Sequence, residues 1–303
     1  MNKLKPLPEE WSGLLNNEQK EAIENINGPL LIIAGAGSGK TRVLTYRYAH
    51  LIKTYGINFE NVLAITFTNK AANEMKDRIS DLLNLELSPK WISTFHSLCV
   101  KMLRIHGHLI GFNNNFTIYD QSDSTKLVRN CMRDSDIDTK QYSPKRIQAH
   151  ISSLKNQRIL PGEAVEFAQS FFDVKVAEIY SSYQKKLMLA NSMDFDDLLI
   201  KAVELLETSD KSLNYWSSKF QYIMIDEYQD TNMVQYRLVE LLASKHKNIC
   251  VVGDSDQSIY AFRGADIRNI EEFESDFKNA KVISLEKNYR SSQKILDLSL
   301  IHI

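Results

Sequence analysis

The sequence predicts an α/β protein that is built on a doubly wound parallel sheet. Short apolar segments typical of buried strands alternate with amphipathic helical segments, as in successive β–α–β units. The first of these strands, residues 30–33, leads into a glycine-rich loop and then into a helix. Strand patterns nearly vanish between about residues 109 and 194, which predicts a helical insertion within the sheet domain. A chain of 303 residues is long enough for two domains or for one elaborated domain.

Composition indicates an ordinary globular chain, with 43% hydrophobic and 25% charged residues. A net charge of −1 argues weakly against a purely electrostatic nucleic-acid binder but leaves a local basic groove open. The three cysteines are far apart and lack metal-binding spacing, which favours free thiols in a reducing cytosol and hence a cytoplasmic location. The N-terminus lacks the apolar core of a signal peptide, and no stretch approaches the ~18 apolar residues of a membrane span, so we expect no membrane partner.

A helix is expected from residue 16 or 17 to about 26, with Asn16 or Asn17 as its N-cap, and Gly28 and Pro29 follow its end. Gln19 therefore precedes the glycine-rich loop closely in the chain. Its carboxamide has the donor and acceptor needed to bind an adenine edge, but a solvated helix glutamine is an equally good interpretation of its position.

The glycine-rich loop, AGAGSGKT, has the pattern of a phosphate-binding loop. Its glycines let backbone N–H groups face a phosphate, and the following helix directs its positive end at the same point. Lys40 is expected to reach the β- and γ-phosphates, and the Thr41 hydroxyl to ligate Mg²⁺. The alternative is a glycine-rich turn without a ligand. The predicted nucleotide contacts of the loop are Ala34, where the general pattern has glycine, Gly35, Ala36, Gly37, Ser38, Gly39, Lys40 and Thr41.

Two further strands, 62–67 and 91–95, are each followed by a helix. Ligands of parallel sheets bind at the carboxyl ends of the strands, where polar and aromatic side chains cluster in this sequence. Hydroxyl and amide groups suit contacts to phosphates, and aromatic rings suit stacking on the bases of a single strand. Core packing of both phenylalanines and a structural role of the histidine are the alternatives. The strand-end residues are Phe67, Thr68, Asn69, Thr94, Phe95 and His96.

The predicted insertion carries one strand pattern, 116–119, and helices such as 124–132 and 174–189. Its residues 140–158 contain basic side chains and no acidic ones. A basic helical face could track a phosphate backbone, but an ordinary solvated face is at least as good an interpretation. The basic residues are Lys140, Lys145, Arg146, Lys155 and Arg158.

The sheet pattern resumes at residues 220–225 and ends in two acids. Asp226, at the strand tip, is suited to hold Mg²⁺ through its water shell. Glu227 is suited to orient and deprotonate an attacking water. Two solvated acids in a strand-end turn are the alternative.

The next strand, 249–254, leads to Gln257, which could sense a γ-phosphate or position water. Tyr260, Phe262 and Arg263 follow, and two aromatic rings with an arginine suit base stacking and backbone contact, with ordinary packing as the alternative. A helix over 266–277, a strand over 282–285 and the segment NYRS complete the pattern.

These segments, in this order, resemble the UvrD/Rep/PcrA family of superfamily 1 DNA helicases, and the PcrA/UvrD branch in particular. The segments that carry the resemblance are LNNEQ, AGAGSGKT, AITFTNKAANEM, WISTFHSLC, MDFDDLL, IDEYQDTN, VVGDSDQSIYAFRGAD and LEKNYRS. The resemblance implies ATP hydrolysis, stimulated by single-stranded DNA, that drives 3′–5′ translocation and the unwinding of 3′-tailed duplex DNA in repair or replication. It implies ATP and Mg²⁺ as cofactors and repair or replication proteins as candidate partners.

The resemblance also implies a domain arrangement. Residues 1–108 and 195–280 would form the first RecA-like P-loop NTPase domain, 1A. Residues 109–194 would form the helical domain 1B inserted into it, and residues 281–303 would begin a second RecA-like domain, 2A.

Several residue roles follow from the resemblance alone. Gln19 would recognise adenine, Tyr289 would stack on it, and Arg42 would lie near the nucleotide. Gln257 would couple the γ-phosphate to DNA, and Arg290 would act as an arginine finger beside the catalytic Lys40 and Glu227. The implied DNA contacts are Phe67, Asn69, Thr94, His96, Tyr260, Phe262 and Arg263.

The chain departs from the family pattern in two respects. Close members often have RWRGAD where this chain has AFRGAD, so Ala261 lacks a positive charge and DNA contact there should be weaker. The family continues for several hundred residues beyond NYRS, so we expect this chain to represent the N-terminal part and to unwind DNA poorly or not at all. The alternative is a non-hydrolysing ATP- and ssDNA-binding fragment of a broken helicase gene. An unrelated P-loop kinase or ATPase would conflict with IDEYQDTN and NYRS, and a branch fused to a nuclease stays open.

Overall fold

The structure, a computed structural model, describes residues 5–85, 89–254, 257 and 268–290. Within these residues the strands are β1 (Leu30–Ala34), β2 (Val62–Thr66), β3 (Ile92–Thr94), β4 (Thr117–Ile118), β5 (Ser192–Met193), β6 (Tyr222–Ile225), β7 (Ile249–Gly253) and β8 (Lys281–Leu285). The helices before the insertion are α1 (Glu9–Ser12), α2 (Asn17–Glu24), α3 (Lys40–Lys53), α4 (Asn69–Leu83) and α5 (Phe95–His106). Those that follow are α6 (Gln121–Asp134), α7 (Pro144–Asn156), α8 (Phe171–Leu189), α9 (Phe195–Thr208), α10 (Asp210–Lys219), α11 (Met233–Ala243), α12 (Arg268–Glu271) and α13 (Phe273–Asp276). Single 3₁₀ turns lie at Phe59–Asn61, Gly107–Ile110 and Tyr228–Asp230.

Six strands form one sheet in the order β3-β2-β6-β7-β1-β8, and every neighbouring pair is parallel. This arrangement confirms the predicted doubly wound parallel sheet. Parallel pairing places the carboxyl ends of all six strands at one edge. The loops that follow β1, β2, β3, β6 and β7, where the sequence predicts functional residues, therefore lie along that edge.

The sheet is buried on both faces, as expected for strands with nearly continuous apolar sequence. Side chains alternate between two apolar clusters: Leu31 belongs to one, and Leu30 and Ile32 belong to the other. The first cluster is closed by α5, α9, α10 and α11 and includes the fully buried Trp216 of α10. The second is closed by α2, α3 and α4. This packing fixes the strand ends that present the candidate site.

The predicted helical insertion is built from α6, α7 and α8, which pack around a third apolar cluster. Where the chain leaves and re-enters the sheet domain, β4 and β5 pair in parallel as a separate two-stranded sheet. The strand expected at 116–119 is thus confirmed in a shorter form.

No helix in the described part of the chain is long and apolar enough to cross a membrane. The predicted free thiols are also confirmed, since all three cysteines are unpaired and buried.

The hypothesis of a basic phosphate-tracking face is wrong for Lys155. Its side chain is fully buried, and Nζ donates to Asp194 Oδ2 and Asp197 Oδ1 at 2.7 Å each. Burial lowers the pKa of Lys155, but the two carboxylates outweigh it and raise that pKa above its ordinary value. Lys155 therefore ties α7 of the insertion to the start of α9. Lys140, Lys145 and Arg146 remain exposed.

The boundary predicted at residue 281 also requires correction. β8 pairs with β1 over five residues, from Lys281 opposite Leu30 to Leu285 opposite Ala34. These five residues therefore complete the first sheet and do not begin a second domain. The division into domains 1A, 1B and 2A otherwise stays a prediction.

Candidate active site and adjoining groove

The glycine-rich loop connects β1 to α3 at the carboxyl edge of the sheet. Gly37 and Gly39 have φ angles of 76° and 93°, a left-handed conformation that strongly favours glycine. The Ser38 hydroxyl donates to the Gly35 carbonyl at 2.8 Å and holds the turn. Ala34 is the last residue of β1 and packs in the core, which explains why its methyl group is compatible with the loop. The other predicted loop residues lie in the turn or open α3, whose first N–H groups face an incoming phosphate.

Lys40, the first residue of α3, brings the ends of β1 and β6 together. Its Nζ lies 2.9 Å from Glu227 Oε2 and 3.4 Å from Gln257 Oε1. Three segments that are distant in sequence thus meet at one cationic nitrogen. We call the space around these three side chains the cleft.

Glu227 has φ 51° and ψ 48°, a left-handed backbone conformation that is uncommon for residues other than glycine. Its N–H donates to Oδ1 of the preceding Asp226 at 3.0 Å. Local strain of this kind clusters at functional sites, where surrounding contacts hold it in place. The conformation aims the carboxylate of Glu227 towards Lys40.

Asp226 is buried at the tip of β6. Burial, followed by the charge of Glu227, raises the pKa of Asp226 to about 7, and Lys40 offsets part of the rise. Asp226 adjoins Glu227 in the chain and the half-buried Thr41 adjoins Lys40, so the 2.9 Å Lys40–Glu227 pair places both residues beside the cleft. Mg²⁺ prefers such hard oxygen ligands and commonly uses only one or two protein groups beside substrate phosphates. The residues present therefore fit that ion.

A second hydrogen-bonded path links Glu227 to Gln257. Gln229, which is 1% exposed, donates from Nε2 to Glu227 Oε2 at 2.8 Å. Its Oε1 accepts from the Asp254 N–H at 3.1 Å, and the Asp254 carboxylate accepts from Gln257 Nε2. Gln229 was not predicted from the sequence, which shows only a polar residue two positions after Glu227.

Gln19 is 2% exposed, so its interpretation as a solvated helix residue is wrong. Nε2 donates to the Ser38 carbonyl at 3.1 Å, and Oε1 accepts from the Asn16 N–H at 3.2 Å. The Asn16 side chain accepts from the Gln19 N–H at 2.7 Å, which completes a capping box and confirms Asn16 as the N-cap of α2. Gln19 therefore lies against the phosphate-binding loop.

The segment after β8 also reaches this loop. The Tyr289 N–H donates to the Gly37 carbonyl at 2.9 Å, and its hydroxyl accepts from Asn16 Nδ2 at 3.0 Å. The ring itself is 52% exposed. Arg290 is exposed, and a Cβ built on Gly37 would lie 2.6 Å from the Arg290 Cβ. The structure thus brings Tyr289 and Arg290 to the loop.

A cavity of about 620 Å³ lies beside this segment. It is lined by Asn16, Asn17, Glu18, Ser284, Glu286 and Lys287. Arg42 is exposed on the first turn of α3, with its guanidinium 5.7 Å from the centre of the Tyr46 ring.

A larger groove of about 1050 Å³ lies between the carboxyl edge of the sheet and the helical insertion. Phe67, Thr94 and His96 line it, so the structure brings three of the predicted DNA contacts together. Thr94 Oγ1 lies 3.5 Å from Asn69 Oδ1, which places Asn69 beside them. Phe95 also reaches the groove but is buried in the core, as its alternative interpretation proposed. Tyr260, Phe262 and Arg263 lie outside the described residues.

Phe195 is a groove residue that sequence analysis did not single out, although it belongs to the quoted MDFDDLL segment. Its ring is 53% exposed and edge-on to His96, with the ring centres 6.0 Å apart. Burial lowers the pKa of His96 and so favours the neutral imidazole. Together these rings offer an aromatic surface inside the groove.

Asp230 connects the cleft with the groove. It directly follows Gln229 in the 3₁₀ turn after β6, and it lines the groove. Burial and the charge of Glu227 raise the pKa of Asp230 to about 6. In the turn Tyr228–Asp230, Gln229 therefore contacts Glu227 of the cleft, and the next residue, Asp230, lines the groove.

Comparison with known proteins identifies relatives of the chain. The family model of the UvrD/REP helicase N-terminal domain matches residues 15–278. Proteins named ATP-dependent DNA helicase PcrA from Staphylococcus epidermidis and Staphylococcus aureus are each 50% identical over 283 residues. The matched region covers 93% of this chain and 39% of each relative, so the chain spans about two fifths of the length of these relatives.

Proposed function

Since the chain belongs to the UvrD/REP helicase N-terminal domain family, we propose that it carries the ATP-hydrolysing and DNA-binding site of an ATP-dependent DNA helicase. The observation that carries the proposal is the meeting of Lys40, Glu227 and Gln257 within 3.4 Å at the carboxyl edge of the sheet. A lysine at the start of a phosphate-binding helix and a carboxylate on the neighbouring loop are among the groups that P-loop NTPases use for triphosphate hydrolysis.

The proposed chemistry is ATP hydrolysis to ADP and phosphate. The loop N–H groups and Lys40 bind the phosphates, and Thr41 and Asp226 hold Mg²⁺. The ion supplies charge neutralisation at the β- and γ-phosphates when it is bound. Glu227 accepts a proton from the water that attacks the γ-phosphorus, and Gln257 orients that water or contacts the γ-phosphate.

The residues that we propose to contact adenine and to act as the arginine finger lie around the phosphate-binding loop. The exposed Tyr289, whose hydroxyl accepts from Asn16 at the 620 Å³ cavity, supplies a stacking face. Gln19 supplies hydrogen bonds after it releases Ser38. Arg42 lies near the nucleotide, and Arg290 acts as the arginine finger.

We further propose that the helical insertion is domain 1B, that β8 completes domain 1A, and that a second RecA-like domain begins after β8.

Single-stranded DNA is the proposed occupant of the groove. Phe67, His96 and Phe195 provide rings for base stacking, and Thr94 and Asn69 provide polar contacts to the backbone. Tyr260, Phe262 and Arg263 are proposed to add to this surface. Movement along the strand in the 3′–5′ direction, unwinding of 3′-tailed duplexes, action in repair or replication and partners from those processes rest on the family resemblance. A cytoplasmic location is proposed from the three free cysteines, which suit a reducing compartment.

The test measures ATP binding, ATP hydrolysis with and without oligo(dT), and unwinding of a 3′-tailed duplex by the 303-residue chain. We expect ATP binding and DNA-stimulated hydrolysis, with unwinding far slower than that of the Staphylococcus aureus relative. Binding of ATP and DNA without turnover would favour the alternative of a non-hydrolysing fragment. Failure to bind ATP would overturn the proposal, and unwinding at the relative's rate would overturn the expectation of a poorly active chain.

A further inference from the structure

We propose that Gln229 is a positioning residue for ATP hydrolysis, which holds the Glu227 carboxylate and couples it to the Asp254–Gln257 segment. The inference rests on the proposed function, because it assigns Glu227 the role of general base. It concerns a side chain that itself touches neither the nucleotide phosphates nor the attacking water.

The first observation is that both ends of the Gln229 carboxamide are used. Nε2 donates to Glu227 Oε2 at 2.8 Å, and Oε1 accepts from the Asp254 N–H at 3.1 Å. The side chain is almost completely buried. A buried amide with satisfied partners has one preferred orientation, because turning it would leave polar groups without hydrogen bonds. Gln229 is thus a rigid bridge between the loops after β6 and β7.

The second observation is that the end of β7 leaves room for this amide. A Cβ built on Gly253 would lie 3.0 Å from Gln229 Oε1 and 2.8 Å from Ile270 Cδ1. The φ angle of Gly253 lies outside the left-handed region, so the restriction here is space and not backbone conformation. The backbone of β7 therefore approaches Gln229 as closely as a glycine allows.

The third observation concerns the partners of Glu227. Oε2 accepts from both Lys40 Nζ, at 2.9 Å, and Gln229 Nε2, at 2.8 Å. The phosphates of bound ATP attract Lys40, whereas Gln229 has no charge to be attracted and is held from its other end by Asp254. A neutral donor also orients a carboxylate without cancelling its charge. Gln229 is therefore the partner suited to hold Glu227 during hydrolysis.

The same bridge closes a ring of contacts around the cleft. Gln257 Nε2 donates to the Asp254 carboxylate, and Gln257 Oε1 faces Lys40 at 3.4 Å. A displacement of Gln257 by a γ-phosphate would move Asp254, and the 3.1 Å hydrogen bond would pass that movement to Gln229 and Glu227. The base and the proposed phosphate sensor would then reach their working positions together.

The test compares Gln229→Met, which has similar size and no amide, with Gln229→Asn, which keeps the amide but is one methylene too short to span Glu227 and Asp254. We expect kcat for DNA-stimulated ATP hydrolysis to fall about 10- to 100-fold in both variants, because misplacing a catalytic group by about 1 Å has effects of that size. KM for ATP and the Kd of a fluorescent ATP analogue should change by less than about fivefold, the limit expected for loss of the Lys40–Glu227 ion pair, because the phosphate-binding loop and Lys40 are unchanged. Rates are expressed per ATP-binding site, so partial unfolding of a variant does not enter kcat.

Gln184→Met is the matched control, because Gln184 also donates to a carboxylate, Asp197 Oδ1 at 3.0 Å, but lies on α8 outside the cleft. It should keep the wild-type kcat. A wild-type kcat in Gln229→Met would overturn the inference while ATP hydrolysis stands. A wild-type chain that binds but does not hydrolyse ATP would overturn the proposed function and the inference with it.

Discussion

Lys40 Nζ lies 2.9 Å from Glu227 Oε2, so the cation assigned to the triphosphate and the carboxylate assigned to the attacking water form an ion pair. Lys40 is nearly buried in this pair. A triphosphate must therefore compete with Glu227 for the lysine. Exchange of Lys40 from Glu227 to the phosphates would free the carboxylate only when substrate is present.

This competition predicts the behaviour of Glu227→Gln. Removal of the negative charge should tighten ATP binding by up to about fivefold, since an ion pair whose carboxylate is about one third exposed contributes roughly 1 kcal/mol. Hydrolysis should fall about 10²- to 10⁴-fold with the loss of the general base. Fluorescence titration gives the Kd, and phosphate release gives the rate. Lys40→Met, as the complementary variant, should lose ATP binding. Weaker ATP binding by Glu227→Gln would contradict the competition.

The buried position of Gln19 predicts a base-specific effect on nucleotide binding. Loss of the carboxamide in Gln19→Ala should weaken ATP binding about tenfold, a change of about 1.4 kcal/mol, and leave GTP binding almost unchanged. Parallel titrations with ATP and GTP analogues measure the difference. Lys20→Ala, the adjacent change on α2, is the control. Equal losses for ATP and GTP would show that Gln19 acts only through its 3.1 Å hydrogen bond to Ser38.

Contiguous features of this molecule were predictable from the sequence, because their physical causes are local. The strand, glycine loop and helix around Lys40 lie within a few consecutive residues, and alternating strands and helices indicated a parallel sheet. The same pattern identified the strand at 281–285 but not its position beside β1, since hydropathy does not specify which neighbour a strand takes. The hydropathy pattern thus explains both results: it identified the strands of the sheet correctly, and it could not show that residues 281–285 pair with β1.

Features that depend on distant partners were not predictable in this way. Lys155 was placed on a basic face because no acid lies near it in sequence, yet its partners Asp194 and Asp197 follow 39 and 42 residues later. Gln229 had no local signal for its hydrogen bond to Asp254, 25 residues away. The left-handed conformation of Glu227 likewise depends on the packed loop around it.

The buried ion pairs of Lys155 predict a large stability effect. Lys155→Met removes the cation and leaves Asp194 and Asp197 buried without it, which should lower the free energy of unfolding by about 3–5 kcal/mol. Urea unfolding followed by circular dichroism measures the change. Lys185→Met, an exposed lysine on α8, should change stability by no more than about 0.5 kcal/mol. Equal stability of the two variants would contradict the assigned role of Lys155.

The exposed ring of Phe195 predicts a contribution to DNA binding. Phe195→Ala should weaken binding of a fluorescent oligo(dT) by about 1–3 kcal/mol, or about 5- to 150-fold, because stacked bases lose one aromatic face. Anisotropy titration at fixed salt measures the affinity. Phe171→Ala is the control, since Phe171 is 68% exposed on α8 and does not line the groove. Similar losses of oligo(dT) affinity in both variants would indicate nonspecific hydrophobic binding to exposed rings and not binding in the groove.

A buried histidine on α3 predicts a defined pH dependence of stability. Burial lowers the pKa of His50 to about 4, the backbone of Lys5 offsets part of this shift, and the charge of Arg47 adds to it. Tyr55, whose ring centre lies 5.2 Å away, packs edge-on against the imidazole. The unfolded chain binds a proton at His50 below about pH 6.5, whereas the folded chain does so only near pH 4.

Stability from this group is therefore complete above pH 6.5 and falls by about 1.4 kcal/mol per unit as the pH drops towards 4. Between pH 7.5 and 5.0 the wild type should lose about 2 kcal/mol more than His50→Leu, which has no proton to bind. Urea unfolding at the two pH values measures both losses, and subtraction removes the contribution of all other groups. His108→Leu, a change at an exposed histidine, should keep the wild-type loss. Equal pH dependence in wild type and His50→Leu would mean that the imidazole is hydrated or protonated in the folded chain, contrary to its burial against Tyr55.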